Sequence, residues 1–234
     1  MRCARGHSSG KVQKALLAHV RALLPENARV IVAGDSEFGA VEVMRQLNEW
    51  QWQYVLRQKS SHLVQLLGKE RQAFGDLVQK GQCLWLGEGL LTAQHAFRVN
   101  LLAQWKPGEQ DPWLLATNLD NLHAALKAYS RRMWIEEMFG DFKGHGFDLE
   151  SSHLRDFIKL SRLTFAVALL YVWLIAFGSQ VANSGKRYLV DRSDRGDLSI
   201  FQVGLRMIAR LLKNEQTITF TLAVHFPDLK LSGG

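Results

Sequence analysis

The sequence predicts an α/β protein, and three observations carry that reading. Residues 11–56 alternate helix, strand, helix, strand. Residues 58–118 are short β-prone runs punctuated by glycines. Beyond Gly144-His-Gly146 the chain turns mainly helical. Alternation of this kind implies neighbouring parallel strands.

The elements follow in order. Lys11 to Leu24 carries apolar residues at Val12, Ala15, Leu16, Ala18, Leu23 and Leu24, an amphipathic helix that Pro25 to Asn27 ends. Arg29 to Gly34 is a β-branched run that reads as a buried strand. Asp35 stands at its carboxyl end, where sites form in open parallel sheets. Helical spacing returns from Gly39 to Trp50, with Val41, Met44 and Leu47 on one side, and Trp52 to Leu56 is a second strand. Gly68, Gly75, Gly81, Gly87, Gly89 and Gly108 separate runs such as Gln82–Leu86 and Phe97–Leu102, a β-rich insertion joined by turns. Trp113 to Thr117 is a further strand. A helix runs from Asn121 to about Lys143, with Asp120 or Asn121 as its N-cap.

Leu163 to Phe177 is an apolar run of 15 residues, short of the ~20 that a bilayer demands. It reads as a buried helix. Residues 178–197 form a polar connection, and Ile200 to Lys213 a second amphipathic helix. Thr217 to Phe226 suits a strand or a helix, and residues 227–234 a mobile tail. The organisation predicted is a partial core at 1–57, an insertion at 58–118, a helix completing the core at 119–150 and a helical region at 151–234.

Composition narrows the partners. The 234 residues carry a formal net charge of +7, with 47% hydrophobic residues. In the first 34 residues Arg2, Arg5, Lys11, Lys14, Arg21 and Arg29 face only Glu26. Such a surplus favours a polyanion, because neutralised phosphates release counterions. Cys3 and Cys83 are isolated, without zinc spacing, which fits a reducing compartment. The first 25 residues lack the apolar stretch of a secretory leader. These features point to a cytoplasmic location with no membrane involved.

The segment from Tyr129 to Lys143 carries the chemistry. On one ideal helix with Tyr129 at zero, Arg132 falls near ~300°, Glu136 near ~340° and Lys143 near ~320°. A hydroxyl, two cations and a carboxylate then share one stripe. Trp134, Ile135, Met138 and Phe142 fall on the opposite, packing side, while Glu137 and Asp141 point off the stripe. If one acid of this helix binds metal, the geometry selects Glu136. The same pattern also suits a solvated face with an Arg132–Glu136 i,i+4 pair, and Asp35 also suits a helix cap. Glu37, His145 and His153 read as surface residues, and Trp85 and Trp105 as strand packing.

Tyr129-(2)-Arg132-(3)-Glu136-(6)-Lys143 resembles the YREK signature of insertion-sequence-4 type DDE transposases at every spacing. Val32-Ala-Gly-Asp35-Ser-Glu-Phe-Gly39 resembles the family's second-aspartate motif. Lys143-Gly-His-Gly-Phe-Asp-Leu-Glu150, Tyr188–Arg192 and Leu198–Leu205 resemble later segments. The likeness covers roughly residues 10–213. It implies an RNase H-like (retroviral-integrase-type) α/β core, incomplete at its N-terminus, with a β-rich insertion and a helical C-terminal part.

For function, the resemblance implies a DNA transposase that cuts and joins transposon ends. Asp35 and Glu136 would be catalytic metal ligands for Mg²⁺ (or Mn²⁺). Tyr129, Arg132 and Lys143 would bind DNA phosphate. The partners would be double-stranded DNA, at transposon ends and target, and a second copy in a synaptic homodimer. The family also uses an earlier aspartate on its first strand, and residues 1–34 contain no Asp. That implies an N-terminally truncated chain, inactive as it stands, with an exposed edge at the Arg29–Gly34 strand. A non-catalytic DNA-binding or transposase-binding inhibitor, a pseudogene relic and a nuclease with the same core remain alternatives.

Overall fold

Helix α1 (Gly10–Leu23), strand β1 (Ile31–Gly34), helix α2 (Val41–Glu49) and strand β2 (Gln53–Arg57) open the chain in the alternation that the sequence predicts. The computed structural model describes residues 8–143, 146–192 and 196–219. They divide into two units, within residues 1–135 and 136–234. Arg2, Cys3, Arg5, His145 and most of the 217–226 segment lie outside the described residues, as does the tail. Residues 217–219 belong to neither helix nor strand.

Strands β3 (Leu63–Leu66), β4 (Arg71–Ala73), β5 (Cys83–Leu91), β6 (Phe97–Gln104) and β7 (Trp113–Thr117) follow. They do not form a sheet of their own. All seven strands make one mixed sheet in the order β1-β2-β7-β6-β5-β3-β4. β1 and β2 are parallel, with Ala33 opposite Val55 and Gly34 opposite Leu56. β2 pairs antiparallel with β7, which puts Leu56 opposite Ala116. The register of β5 against β6 shifts between Trp85 and Gly87, where Gly87 takes φ +74, a bulge conformation that glycine adopts without strain.

Strand alternation builds a layer on each face of this sheet. Tyr54 and Leu56 of β2 pack with Leu101, Leu114 and Ala116, beneath Leu17 of α1 and Val43, Met44 and Leu47 of α2. Val55, one residue out of phase, packs with Leu102 and Leu115 on the other face. There it meets Ala125, Ala128 and Tyr129 of helix α3 (Leu122–Ser130). The first unit is therefore a helix–sheet–helix sandwich.

β1 ends the sheet. The Val30 C=O accepts from the Gln53 N–H at 3.0 Å. Successive residues of a strand direct their backbone groups to opposite edges, so Ile31 and Ala33 present theirs at the outer side. Among the described residues no strand pairs with that edge, and the Ile31 side chain is 44% exposed. Among the described residues, β1 is thus an edge strand.

Three expectations need correction. The apolar face assigned to α1 is the wrong one: Val12, Leu16, Leu23 and Leu24 are exposed, and Gln13 and Leu17 are buried. The turn of α1 is set by Leu17 packing into the core and by Arg21 lying 5.1 Å over the Trp50 ring. Next, the single helix drawn from Asn121 to Lys143 is two. α3 ends at Ser130, and helix α4 (Met133–Phe142) begins after a turn at Arg131–Arg132. The N–H groups of Arg132, Trp134 and Ile135 reach back three residues, to Tyr129, Arg131 and Arg132. Such tight turns rotate the chain by more than the α-helical step, so angles counted from Tyr129 do not carry into α4. Its supposed packing side chains Trp134 and Ile135 are accordingly exposed, whereas Met138 and Phe142 are half-buried.

The third correction concerns the 163–177 run, which sits inside a longer helix, α5 (Phe157–Asn183, 27 residues). Burial is concentrated at its C-terminal end, at Leu174, Ala176, Phe177, Gly178 and Val181, while Phe157, Ile158, Phe165 and Leu169 are exposed. By length and composition, α5 could cross a membrane. Helix α6 (Ile200–Lys213) spans the residues that the sequence predicts and packs on α5 through Phe177, Val181, Val203 and Met207. Gly178 and Gly204 let the two backbones touch. A Cβ at Gly178 would strike the Ile200 carbonyl, and one at Gly204 the Leu174 carbonyl. Gly204→Ala is expected to destabilise the second unit by about 1–3 kcal/mol through overpacking. Hydrogen exchange of α5 and α6 amides in urea measures it; unaltered protection there would show that the helices separate freely.

Candidate active site

The carboxyl end of β1 delivers a short turn. The Asp35 Oδ1 accepts from the Glu37 N–H at 3.0 Å, and the Asp35 C=O accepts from the Phe38 N–H at 3.2 Å. An aspartate bonding the backbone two residues on is the chemistry that suits this residue to a turn. The side chain thereby points out of the sheet and is exposed. Glycines close both ends of the turn. A Cβ at Gly34 would stand 2.8 Å from the Phe38 Cβ, and one at Gly39 would stand 2.5 Å from the Arg57 C=O. The turn thus folds back on the end of β1 and rests on the end of β2.

Two buried glutamines flank it. Gln13 of α1 donates from Nε2 to the Glu37 C=O at 2.9 Å and to the Ser8 C=O at 3.1 Å. Gln58, just past β2, donates to the Leu56 C=O at 3.3 Å, and its Nε2 is the group that a Gly39 Cβ would approach to 2.8 Å. The Gln58 Oε1 lies 3.0 Å from His62 Nδ1, and because that oxygen can only accept, Nδ1 carries the proton. Burial first, and the Lys59 ammonium second, hold the His62 ring below its ordinary pKa and favour its neutral form.

Asn121 caps α3 by accepting the Ala124 N–H at 2.9 Å, the second of the two caps that the sequence offers. The cap starts the helix that carries Tyr129 into the core. Tyr129 is only 2% exposed, with its ring 4.9 Å edge-on to Trp113. Its hydroxyl has no hydrogen-bond partner among the described residues. The Arg132 guanidinium lies 5.8 Å from the centre of the Tyr129 ring. Tyr129 and Arg132 are therefore together, through the ring face.

On α4, Glu136 is exposed, and so is Glu137. Asp141 is 2% exposed, and the Tyr171 hydroxyl donates to its Oδ2 at 3.4 Å. Burial first, then the negative charges of Asp141 and Glu137, push the Tyr171 phenol well above its ordinary pKa. Asp141 thus belongs to the packing of the second unit, where Phe142 meets Phe147 and Tyr171 edge-on and Phe201 stacks on Tyr171 and leans on Phe147. Lys143 is exposed where α4 ends. Asp35, Tyr129 and Arg132 fall in the first unit, and Glu136 and Lys143 in the second.

Among the described residues no three His, Cys, Asp or Glu side chains gather as a metal cluster. The donor chemistry nonetheless suits a hard divalent cation. Asp35 and Glu136 are exposed carboxylates, the oxygen ligands that Mg²⁺ takes together with water and phosphate.

The sequence pattern of the transposase DDE domain matches residues 4–173. The chain belongs to that transposase family. No curated protein matches the chain. The matched stretch of the transposase takes in Asp35 and all of Tyr129, Arg132, Glu136 and Lys143, and ends within α5.

Sequence reasoning passes over Gln13, Gln58 and His62. The only signal for Gln13 is a polar residue one turn before Leu17, which an apolar-periodicity count skips. Gln58 and His62 stand in a turn-rich stretch with no spacing to mark them.

The depressed His62 pKa makes a pH prediction. The unfolded ring takes up its proton at a higher pH than the folded one, so stability is full above about pH 6.5 and falls as pH drops below it. Thermal melts at pH 7.5 and 5.5 should show a lower Tm at the acidic value, with the difference reduced in His62→Gln. An identical pH slope in that variant would remove His62 as its source.

Proposed function

We propose that this transposase domain serves the cutting and joining of insertion-sequence DNA, as an insertion-sequence-4 type enzyme with an RNase H-like core. The observation that carries the reading is Asp35, an exposed carboxylate held in a fixed turn at the carboxyl end of a parallel strand. The four-residue spacing of Tyr129, Arg132, Glu136 and Lys143 supports the subfamily.

Asp35 and Glu136 are assigned as ligands of Mg²⁺ or Mn²⁺. Bound there, the ions would favour attack by water or a 3′-hydroxyl on a phosphodiester and stabilise the leaving oxygen. Arg132 and Lys143 would hold the phosphate, Arg132 through paired N–H donors. The Tyr129 hydroxyl is assigned to the same phosphate. Its burial means that DNA must uncover it, and its lack of a partner among the described residues gives it a bond to gain. The partners proposed are double-stranded DNA at transposon ends and target, and a second copy in the synaptic complex. The work is assigned to the bacterial cytoplasm, at the nucleoid. α5 is assigned to helix packing, because its C-terminal half buries against α6.

The reaction needs a third carboxylate. No Asp precedes Asp35 in these residues, and the outer edge of β1 is where a strand bearing one would pair beside Asp35. The 234 residues alone are therefore proposed to be inactive in strand transfer. A second reading is that these residues bind DNA or a complete transposase without catalysis and inhibit it.

The experiment uses transposon-end DNA and Mn²⁺. The chain alone is expected to retard DNA in a gel without cleaving it; cleavage would overturn the inactivity, and absence of binding would overturn both readings. In a protein that supplies the third carboxylate, Asp35→Asn and Glu136→Gln should each lower strand transfer on the order of 100-fold or more, beyond the usual effect of removing a supporting residue. Glu137→Gln should leave it within about twofold, since exposed side chains without a ligand role contribute little. Full activity in Asp35→Asn would remove that assignment.

A further inference from the structure

Gln13 is the residue of α1 that the packing of the helix does not explain. Its side chain is 1% exposed, and burying an amide is unfavourable unless it is hydrogen-bonded. A leucine or methionine would fill the space without that cost. The amide orientation is fixed by its neighbours. The Glu37 C=O at 2.9 Å and the Ser8 C=O at 3.1 Å can only accept, so nitrogen and not oxygen must face them. The Ser8 hydroxyl oxygen is a further neighbour at 3.0 Å.

The bond to Glu37 falls at a sensitive place. The Glu37 N–H is the donor that holds Asp35 Oδ1, and the Glu37 C=O is the acceptor that Gln13 holds. One residue is thus gripped on both sides, by Asp35 before it and by α1 from across the fold. If the Glu37 backbone rotates, the donor to Asp35 moves with it. Gly34 and Gly39 secure the ends of the same turn, and Gln13 secures its middle.

We infer that Gln13 is a positioning residue, which orders the Asp35 carboxylate through the Glu37 backbone before any ligand arrives; its meaning for metal binding rests on the proposed role of Asp35. Holding a ligand in place in advance lets binding proceed without first freezing a mobile turn. The Gln13 amide acts on Asp35 only through the Glu37 peptide groups.

The test uses the isotope-labelled whole chain, with Gln13→Met and Gln13→Glu, both lacking the donor at neutral pH, and with Asp35→Asn. Amide hydrogen exchange at Glu37 and Phe38 is compared with that of β2, and Mn²⁺ alone is titrated while broadening of the Asp35–Phe38 amides is followed. Loss of one hydrogen bond should speed exchange at Glu37 and Phe38 about fivefold, leave β2 unchanged and raise the Mn²⁺ midpoint by a similar factor. Unchanged exchange in both Gln13 variants overturns the inference. If exchange rises but Asp35→Asn broadens like the wild type, the metal role of Asp35 falls and the clamp stands. Should neither variant fold, the wild type decides: a scalar coupling between Gln13 Nε2 and the Glu37 carbonyl carbon supports the clamp, and its absence overturns it.

Discussion

The parallel pairing of β1 with β2 is the constraint on which the first unit depends. It aligns two carboxyl ends side by side, so the turn at Asp35 lands on Arg57 and Gln58. The same register sets the phase of β2, with Tyr54 and Leu56 under α1 and α2 and Val55 under α3. A slip of one residue would send each of these side chains to the opposite face. β2 then passes the register to β7, and β7 passes it to the longer antiparallel strands.

That arrangement leaves its strongest interactions on one side. β2 is bonded on both edges and its central side chains are fully buried, whereas β1 is bonded on one edge only among the described residues. The Asp35 turn is therefore carried by the weaker strand and is stiffened by local means. Backbone bonds within the turn, two glycines packed against neighbouring chain and a buried glutamine do what a second neighbouring strand would otherwise do. Val12, Leu16 and Leu23 of α1 are exposed in the same unit. Edges of this kind are templates for another strand.

Much of the local structure is legible in the residues. β-branched and aromatic runs at 29–34, 52–56, 97–102 and 113–117 become strands, because their side chains pack well on a pleated surface. Asn121 caps α3 because its short side chain reaches the Ala124 N–H. Periodicity misleads at α1, where apolar residues outnumber what the fold can cover, and the buried face is chosen by packing against α2 and Trp50. It misleads again at Arg131–Arg132, since no proline or glycine marks the break. There the cause is tertiary: Tyr129 is drawn into the core beside Trp113, and α3 ends at Ser130.

From residue types alone follow the α/β class, the parallel β1–β2 pair, Asp35 at a strand end and the spacing that relates Tyr129, Arg132, Glu136 and Lys143. These depend on local preferences and on short-range order, which a linear chain records. The burial of Tyr129 and Asp141, the exposure left to Glu136 and Glu137, and the choice of Gln13 as the group beneath the Asp35 turn depend on contacts between residues far apart in the chain. Such contacts are selected by which faces can be covered at once, and no window of neighbouring residues contains that information.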